Sequence, residues 1–482
     1  MPPQIAALIF SLGIWGLFAL DRQPKGQTSK ALWVPVVWLL IAGSRNPGQW
    51  LQMQGPSDQS ARYLDGNPVD RAILAALMAI GLIVLFRRSR QVTALLRTNA
   101  PILLFFSYCA ISCVWSDFPD VAFKRWFRGM GDVIMVLVML TEADWVAGLK
   151  RVLTRVGFVL LPLSVLLIRY YPALGRGYNT AGTGTFWTGV TTDKNGLGMI
   201  CLIFGLGAIW RFSDTYRRRE NPRRTKQLVA GGILVATTLY LLWESNSMTS
   251  ISCFVMAGGL MLAAGRWEWA RKPTVVTLFA LTAVGVSGFV LFGGAGSVLA
   301  LLGRNPTLTG RTEVWSVILP FTQNPVLGSG YESFWLGERL MKIGQLTSEG
   351  INEAHNGYLE IYLNLGWIGI ALLGLVILTG FPKVLRTLRL DTESGKLMLA
   401  YFILGLIYNF TEAGFKMMNP VWIFYIMAVM AVPGEVLSEG PAKLELPPFK
   451  TRTRQGVVQS SVSKHPISRL RTKARGRQKV TT

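Results

Sequence analysis

The stretch HNGYLEIYLNLGWIGIALLGLVIL, His355 to Leu378, decides the fold. From Leu365 on it holds no charge, and with its flanks it forms an apolar run over 357–379. A run of this length crosses a hydrocarbon core of about 30 Å as a helix, because lipid offers no partner for a bare N–H or C=O. Its first half is different. Asn356, Glu360 and Asn364 recur every four residues and predict one polar edge on that helix. His355, one of two histidines in the chain, stands at the mouth of the span.

Working outward, similar runs repeat along the 482 residues, of which 51% are hydrophobic, with mean hydropathy +0.37. They fall at 4–20, 31–44, 71–86, 100–115, 130–142, 153–170, 189–210, 228–244, 250–265, 274–293, 357–379, 397–411 and 419–433. The expected fold is all-α: a polytopic integral membrane protein with about 12–14 transmembrane helices and one large outer loop with short helices. Its parts are transmembrane helices over 1–293, the loop over 294–356, transmembrane helices over 357–433 and a basic tail over 434–482. Trp115, Trp187, Trp210 and Trp243 lie at span ends, where interfacial anchors are expected. Cys109, Cys113, Cys201 and Cys253 fall inside runs and read as small buried hydrophobes, without metal spacing.

The net charge of +23 suggests nucleic acid, but its distribution argues against that partner. The first run lacks the preceding cations and following small-residue site of a signal peptide, and Arg22, Lys25 and Lys30 come after it. An outward N-terminus is expected. Alternating the runs from there puts 35 of the 49 Lys and Arg residues on the inner side. This is the positive-inside pattern. The tail is expected to be disordered, cytoplasmic and in contact with anionic membrane lipids.

The long loop is not low-complexity. Val314, Val317, Ile318 and Phe321 follow a helical spacing and predict a short amphipathic helix, with Thr309 or Gly310 at its start. Arg311 falls in its first turn, where the helix dipole disfavours a cation unless an anion lies nearby. Arg304 precedes it by seven residues. The bland reading is two arginines facing lipid headgroups. A second cluster, TTDKNGLG, brings Lys194 and Asn195 to the start of another span. There the alternative is a self-neutralising Asp193–Lys194 pair. A third, ESNSMTS at 244–250, reads as plain turn chemistry.

If Lys194, Arg304 and Arg311 gather around an anion beside His355, polyprenyl-diphosphate sugars fit the arrangement. Cations would bind the diphosphate and stabilise its departing charge, and a histidine would act on the attacking hydroxyl. Glu353 or Glu360 would orient the histidine or replace it. No metal or other cofactor is required, and no HExxH, CxxC or Walker A loop is present. A transporter or flippase of lipid-linked oligosaccharide is the competing class. It predicts charges deep within several spans.

These residues resemble the O-antigen ligase/polymerase family of bacterial membrane glycosyltransferases. The resemblance rests on HNGYLEIYLNLGWIG (His-Asn, nine residues, Gly), on GRTEVWSVILPFTQNPVLGSGY, on DKNGLG, and on one long loop before the histidine helix. It covers roughly 190–370. It implies transfer of a glycan from an undecaprenyl-diphosphate carrier to an acceptor glycan or lipid A–core, at the periplasmic face of the bacterial inner membrane. It further implies that Arg311 contacts the diphosphate, that His355 acts on the acceptor hydroxyl or positions it, and that Lys194 and Asn195 line the same cleft. Glu353, Asn356, Glu360 and Arg304 complete the expected substrate-binding set. Ligases often continue the histidine motif as Gly-x-x-Thr. Here it runs Gly366-Trp367-Ile368-Gly369, which leaves ligase and polymerase open.

Overall fold

Each apolar run becomes a helix in the computed structural model, which describes residues 1–22, 28–53, 66–178, 184–291, 311–347 and 351–430. The main helices are α1 (Pro3–Leu20), α2 (Trp33–Ala42), α3 (Pro68–Arg87), α4 (Ala100–Ser112), α5 (Pro119–Leu140), α6 (Trp145–Tyr170), α7 (Lys194–Arg217), α8 (Arg224–Ser245), α9 (Met248–Arg266) and α10 (Pro273–Leu291). They continue with α11 (Arg311–Ile318), α12 (Gly337–Leu346), α13 (Gly357–Leu390), α14 (Thr392–Tyr408) and α15 (Pro420–Met430). Among the described residues the only sheet is a hairpin of β1 (Arg176–Tyr178) and β2 (Thr185–Trp187).

The protein is a multi-pass membrane protein. Seven helices are long and apolar enough to cross alone: α1, α3, α6, α7, α8, α9 and α13. The bent pair Ser89–Thr98 with Ala100–Trp115 makes an eighth. The count by length and hydropathy is therefore below the expected 12–14, for two physical reasons. Helix α5 carries Asp120, Lys124, Arg125 and Arg128 in its first half, which lowers its hydropathy. Helices α14 and α15 are short, yet both are wrapped by protein rather than lipid. Helices apolar on every side belong in the middle of a bundle.

Close approach holds the middle together. Lipid supplies little hydrophobic drive between helices, so small residues that admit a neighbour take its place. Any side chain at Gly131 of α5 would collide with the Trp38 ring of α2. The same helix buries Asp132, whose two oxygens accept from Trp38 Nε1 at 2.8 Å and from the Met418 amide at 2.9 Å. A carboxyl group inside the bundle is tolerated because both oxygens are bonded. All four cysteines are buried and unpaired. Trp243 is exposed as an anchor should be, but Trp210 is not an anchor. It is fully buried, and its indole donates to the Glu393 carbonyl.

The segment before α13 folds onto the bundle. Helix α11 begins at Arg311, as the spacing predicted, and Ile318 is fully buried. Ile318, Phe334, Trp335, Ile343, Ala354 and Leu363 form a small hydrophobic core of their own. The expected Thr309 or Gly310 cap lies outside the described residues, as do Arg304 and the tail 434–482.

Helix α13 is broken at Gly366, with φ 63° and ψ −163°. Only glycine adopts that backbone readily, and a side chain there would strike the Val326 carbonyl. A break strands carbonyls on one side and N–H groups on the other. The loop repairs both. Trp367 N donates to the Pro325 carbonyl at 2.9 Å, Ile368 N to that of Val326 at 3.3 Å, and Ser329 N to that of Leu363 at 3.1 Å. Tyr108 of α4 adds a hydroxyl donor to the Leu365 carbonyl at 3.1 Å. The nine residues between Asn356 and Gly366 thus form one short half-helix, with Asn356 capping its start and Gly366 ending it.

Candidate functional site

The polar edge of the half-helix is mostly anchoring. The Asn356 side chain accepts from Leu359 N at 2.9 Å and donates to the Phe410 carbonyl at 3.1 Å. Glu360 is buried. It accepts from Trp335 Nε1 at 3.0 Å on both oxygens and from the Ala354 amide. Asn364 accepts from the Ser333 and Phe334 amides at 2.8 and 3.0 Å. This edge staples the loop to the helix and so places what precedes it.

What precedes it is His355, at φ 49°, a left-handed conformation that histidine tolerates better than most residues. Its Nδ1 lies 3.0 Å from Glu353 Oε1 and 3.4 Å from Glu412 Oε2. Glu412 is the hub. Its Oε1 accepts from Arg311 Nη2 at 2.9 Å and from Asn195 Nδ2 at 3.1 Å. Glu353 in turn pairs with Lys416. Four distant segments therefore meet at one point: the start of α7, the start of α11, the entrance of α13 and the connection between α14 and α15.

The electrostatics of the cluster follow from this pairing. Burial alone would lower the His355 pKa, but hydrogen bonds and charge from Glu353 and Glu412 outweigh it and raise it to about 9. Burial would raise the Glu353 carboxyl, but Lys416 and His355 hold it well below the ordinary range. Burial would lower Lys416, and Glu353 pushes it up instead. At neutral pH the cluster is thus an imidazolium between two carboxylates, each also bonded to a fixed cation. The His355 Nε2 side has no partner among the described residues, which leaves a donor available. Glu353, His355 and Glu412 present three atoms close enough to hold a metal ion. Their charge is already balanced by Arg311 and Lys416, so the donor set is a poor match for a divalent cation.

The structure brings together Arg311, His355, Glu353 and Asn195. Lys194 is exposed beside Asn195 and contacts none of them directly. Asp193 does not pair with Lys194. It caps α7 by accepting from Gly196 N at 2.8 Å. The 244–250 turn is turn chemistry, with Asn246 at φ 47°. Glu412 and Lys416 were missed by the sequence reading. The available signal was the short connection TEAGFKM, two charges between apolar runs at the mouth of the bundle.

Beside the cluster opens a cavity of about 1310 Å³. Glu353 and Lys416 line it, as do Lys124, Arg125 and Arg128 of α5 and Trp335 and Glu360. Leu74, Met78, Ile361 and Leu365 add apolar lining.

Fold and site together define a helical multi-pass membrane protein with an ion-paired histidine centre at one end of its bundle. A family model described as O-antigen ligase matches residues 232–374, which include Arg311, Glu353 and His355. The chain is 26% identical over 323 residues to the exopolysaccharide production protein ExoQ of Rhizobium meliloti, covering 64% of this chain and 71% of that one. It is 21% identical over 353 residues to a candidate polysaccharide ligase of Rickettsia prowazekii, covering 70% of this chain and 81% of that one. Over residues 232–374 the chain is thus similar to the O-antigen ligase family, and over a longer span to these two polysaccharide proteins. Asn195 and Glu412 lie outside the segment that the family model matches.

Proposed function

We infer that this protein transfers a glycan from an undecaprenyl-diphosphate carrier to an acceptor hydroxyl, at the periplasmic face of the bacterial inner membrane. It acts as an O-antigen ligase or as an exopolysaccharide or O-antigen polymerase. The observation that carries this reading is the convergence of Arg311, His355 and Asn195 on Glu412, beside a cavity with a basic rim and an apolar wall. A lipid diphosphate needs both features: cations for its phosphates and an apolar surface for its tail.

In this mechanism Arg311, with Lys194 exposed beside Asn195, stabilises the departing diphosphate. The acceptor oxygen attacks the anomeric carbon, the bond to the diphosphate breaks, and the hydroxyl proton passes to the departing diphosphate. A His355 pKa of about 9 makes it a cationic donor rather than a resting base. Its role is to orient the acceptor or neutralise charge through Nε2. Neither a metal nor another cofactor takes part. Asn356 and Glu360 act from behind, by fixing the half-helix and loop.

The test is a deletion strain with its lipid-linked glycans analysed by mass spectrometry. Single repeat units accumulating on the carrier identify a polymerase. Long polymer on the carrier beside bare lipid A–core identifies a ligase. Intermediates trapped on the cytoplasmic face refute transfer and favour a flippase.

A further inference from the structure

The segment GRTEVWSVILPFTQNPVLGSGY ends at Tyr331, a residue that the histidine centre does not use. Its backbone is fixed from both sides. Its amide donates to Ser112 Oγ at 3.0 Å, and its carbonyl accepts from Ser333 Oγ at 3.0 Å. Ser333 is held in turn, by its amide on Asn364 at 2.8 Å. Gly328 and Gly330 before it stand at φ 72° and 90°, and Glu332 after it at 52°. The tip of the ring meets α5 at Gly129, where an added side chain would lie 2.6 Å from the Tyr331 hydroxyl. The loop thus gives this side chain one seat, and a glycine leaves room for its polar end.

The residue is 6% exposed, yet its hydroxyl is not spoken for. A buried phenol normally finds a partner. Tyr358 and Tyr401 donate to the Leu406 and Ile203 carbonyls at 2.9 and 3.1 Å. The Tyr331 hydroxyl makes no such bond among the described residues. The Tyr425 hydroxyl is unbonded too, but it is closed in, whereas Tyr331 lines the large cavity and is the one tyrosine in its lining. Burial raises its pKa well above the ordinary phenol value, and the Glu332 carboxylate adds to this, so the hydroxyl keeps its proton and is a donor. The cations nearby have carboxylates already: Asp70 and Asp132 act on Arg128, and Glu353 pairs with Lys416. The phenol is a donor in the lining whose bond is still to be made.

We propose that Tyr331 is a further catalytic residue, whose hydroxyl donates a hydrogen bond to a phosphate oxygen of the carrier diphosphate as the glycan leaves. The proposal rests on the glycan-transfer reading and adds to it a neutral donor, apart from Arg311 and His355. The phenol keeps its own proton. Its bond strengthens as negative charge gathers on the departing diphosphate.

The experiment is Tyr331→Phe in the full-length protein, which deletes the hydroxyl alone. In proteoliposomes with a labelled carrier-linked glycan, kcat is expected to fall about 10–100-fold, the worth of one hydrogen bond to a charged group. The thermal midpoint and the His355 titration should stay at their wild-type values, because the hydroxyl has no partner to lose among the described residues. Wild-type kcat overturns the proposal. So does a kcat that falls together with the thermal midpoint, since the tyrosine then holds the loop and not the substrate. Undecaprenyl diphosphate, added to the protein in phosphatidylcholine nanodiscs and followed by tryptophan fluorescence, should bind at least about fivefold more weakly to Tyr331→Phe. Equal binding by the two proteins overturns the proposal by moving the lost bond to the sugar. Weaker binding in a protein that transfers no glycan keeps the contact and refutes the transfer reading, so the two failures are distinct.

Discussion

Replacing Glu412 by Gln is the sharpest test of the centre. The side chain keeps its shape and loses its charge. Its carboxylate is 6% exposed and Arg311 15%, so the pair belongs with buried ion pairs rather than surface ones. Removing one partner of a buried pair costs about 3–5 kcal/mol, and the remaining exposure of Arg311 points to the lower end. About 3 kcal/mol, if expressed in the transfer step, is roughly 150-fold in rate. The second effect is on His355, which loses one of its two acceptors. Its pKa should fall from about 9 toward the ordinary value near 6.5. With two histidines in the chain, ¹⁵N-histidine labelling in micelles reads this directly, against His465 as the internal comparison. Transfer is measured in proteoliposomes with a labelled carrier-linked glycan. Because Arg311 and Glu412 act as a unit, the double variant Arg311→Gln/Glu412→Gln should cost little more than either single change. A Glu412→Gln protein with wild-type transfer and an unmoved His355 titration would refute the hub. If the pKa moves and transfer does not, the cluster is structural.

Other expectations are as direct. His355→Asn keeps a residue that tolerates φ 49°, so the protein should stay folded in the membrane while transfer is lost; wild-type product would end the assignment. The folded pKa of His355 is raised, so its stabilising contribution is fully present below about 6.5 and is lost as pH rises through about 9. Thermal midpoints in nanodiscs should therefore decline between about pH 6.5 and about pH 9 more steeply in the wild type than in His355→Asn. Gly366→Ala forces a side chain onto a positive φ and into the Val326 carbonyl, and should cost about 3 kcal/mol or more. Faster proteolysis between α11 and α13 would report it. Trp335→Phe leaves the buried Glu360 short of its indole donor, for about 1–3 kcal/mol of stability by thermal unfolding. Transfer should persist in EDTA; activity lost to the chelator and restored by a divalent ion would count against a metal-free centre.

The helices were legible because their signal is local: each apolar run maps to one helix. The number that cross alone was less so. Whether α14 touches lipid or protein depends on its neighbours, and a run of apolar residues reads alike in both settings. His355 and Arg311 were legible for another reason, since each is out of place, a histidine at a span mouth and a cation at a helix start. The dipole argument even required an anion near Arg311. The chain supplies its own, Glu412, 101 residues away. Nothing in the spacing could pair them. Glu360 and Asn364 illustrate the converse. A polar stripe on a membrane helix looks like a substrate path, and here the backbone amides of a loop occupy much of it.

The seam at Gly366 has a consequence for assembly. The amides of Trp367 and Ile368 find their acceptors in Pro325 and Val326, which lie in the loop and not in the helix. Until that loop has docked, the second half of α13 starts with bare donors in a medium that cannot solvate them. The span is thus not finished when it enters the bilayer; it is finished by a loop segment synthesised before it. Any variant that slows the loop in reaching its seat will register first as a helix insertion defect, and only afterwards as a defect in chemistry.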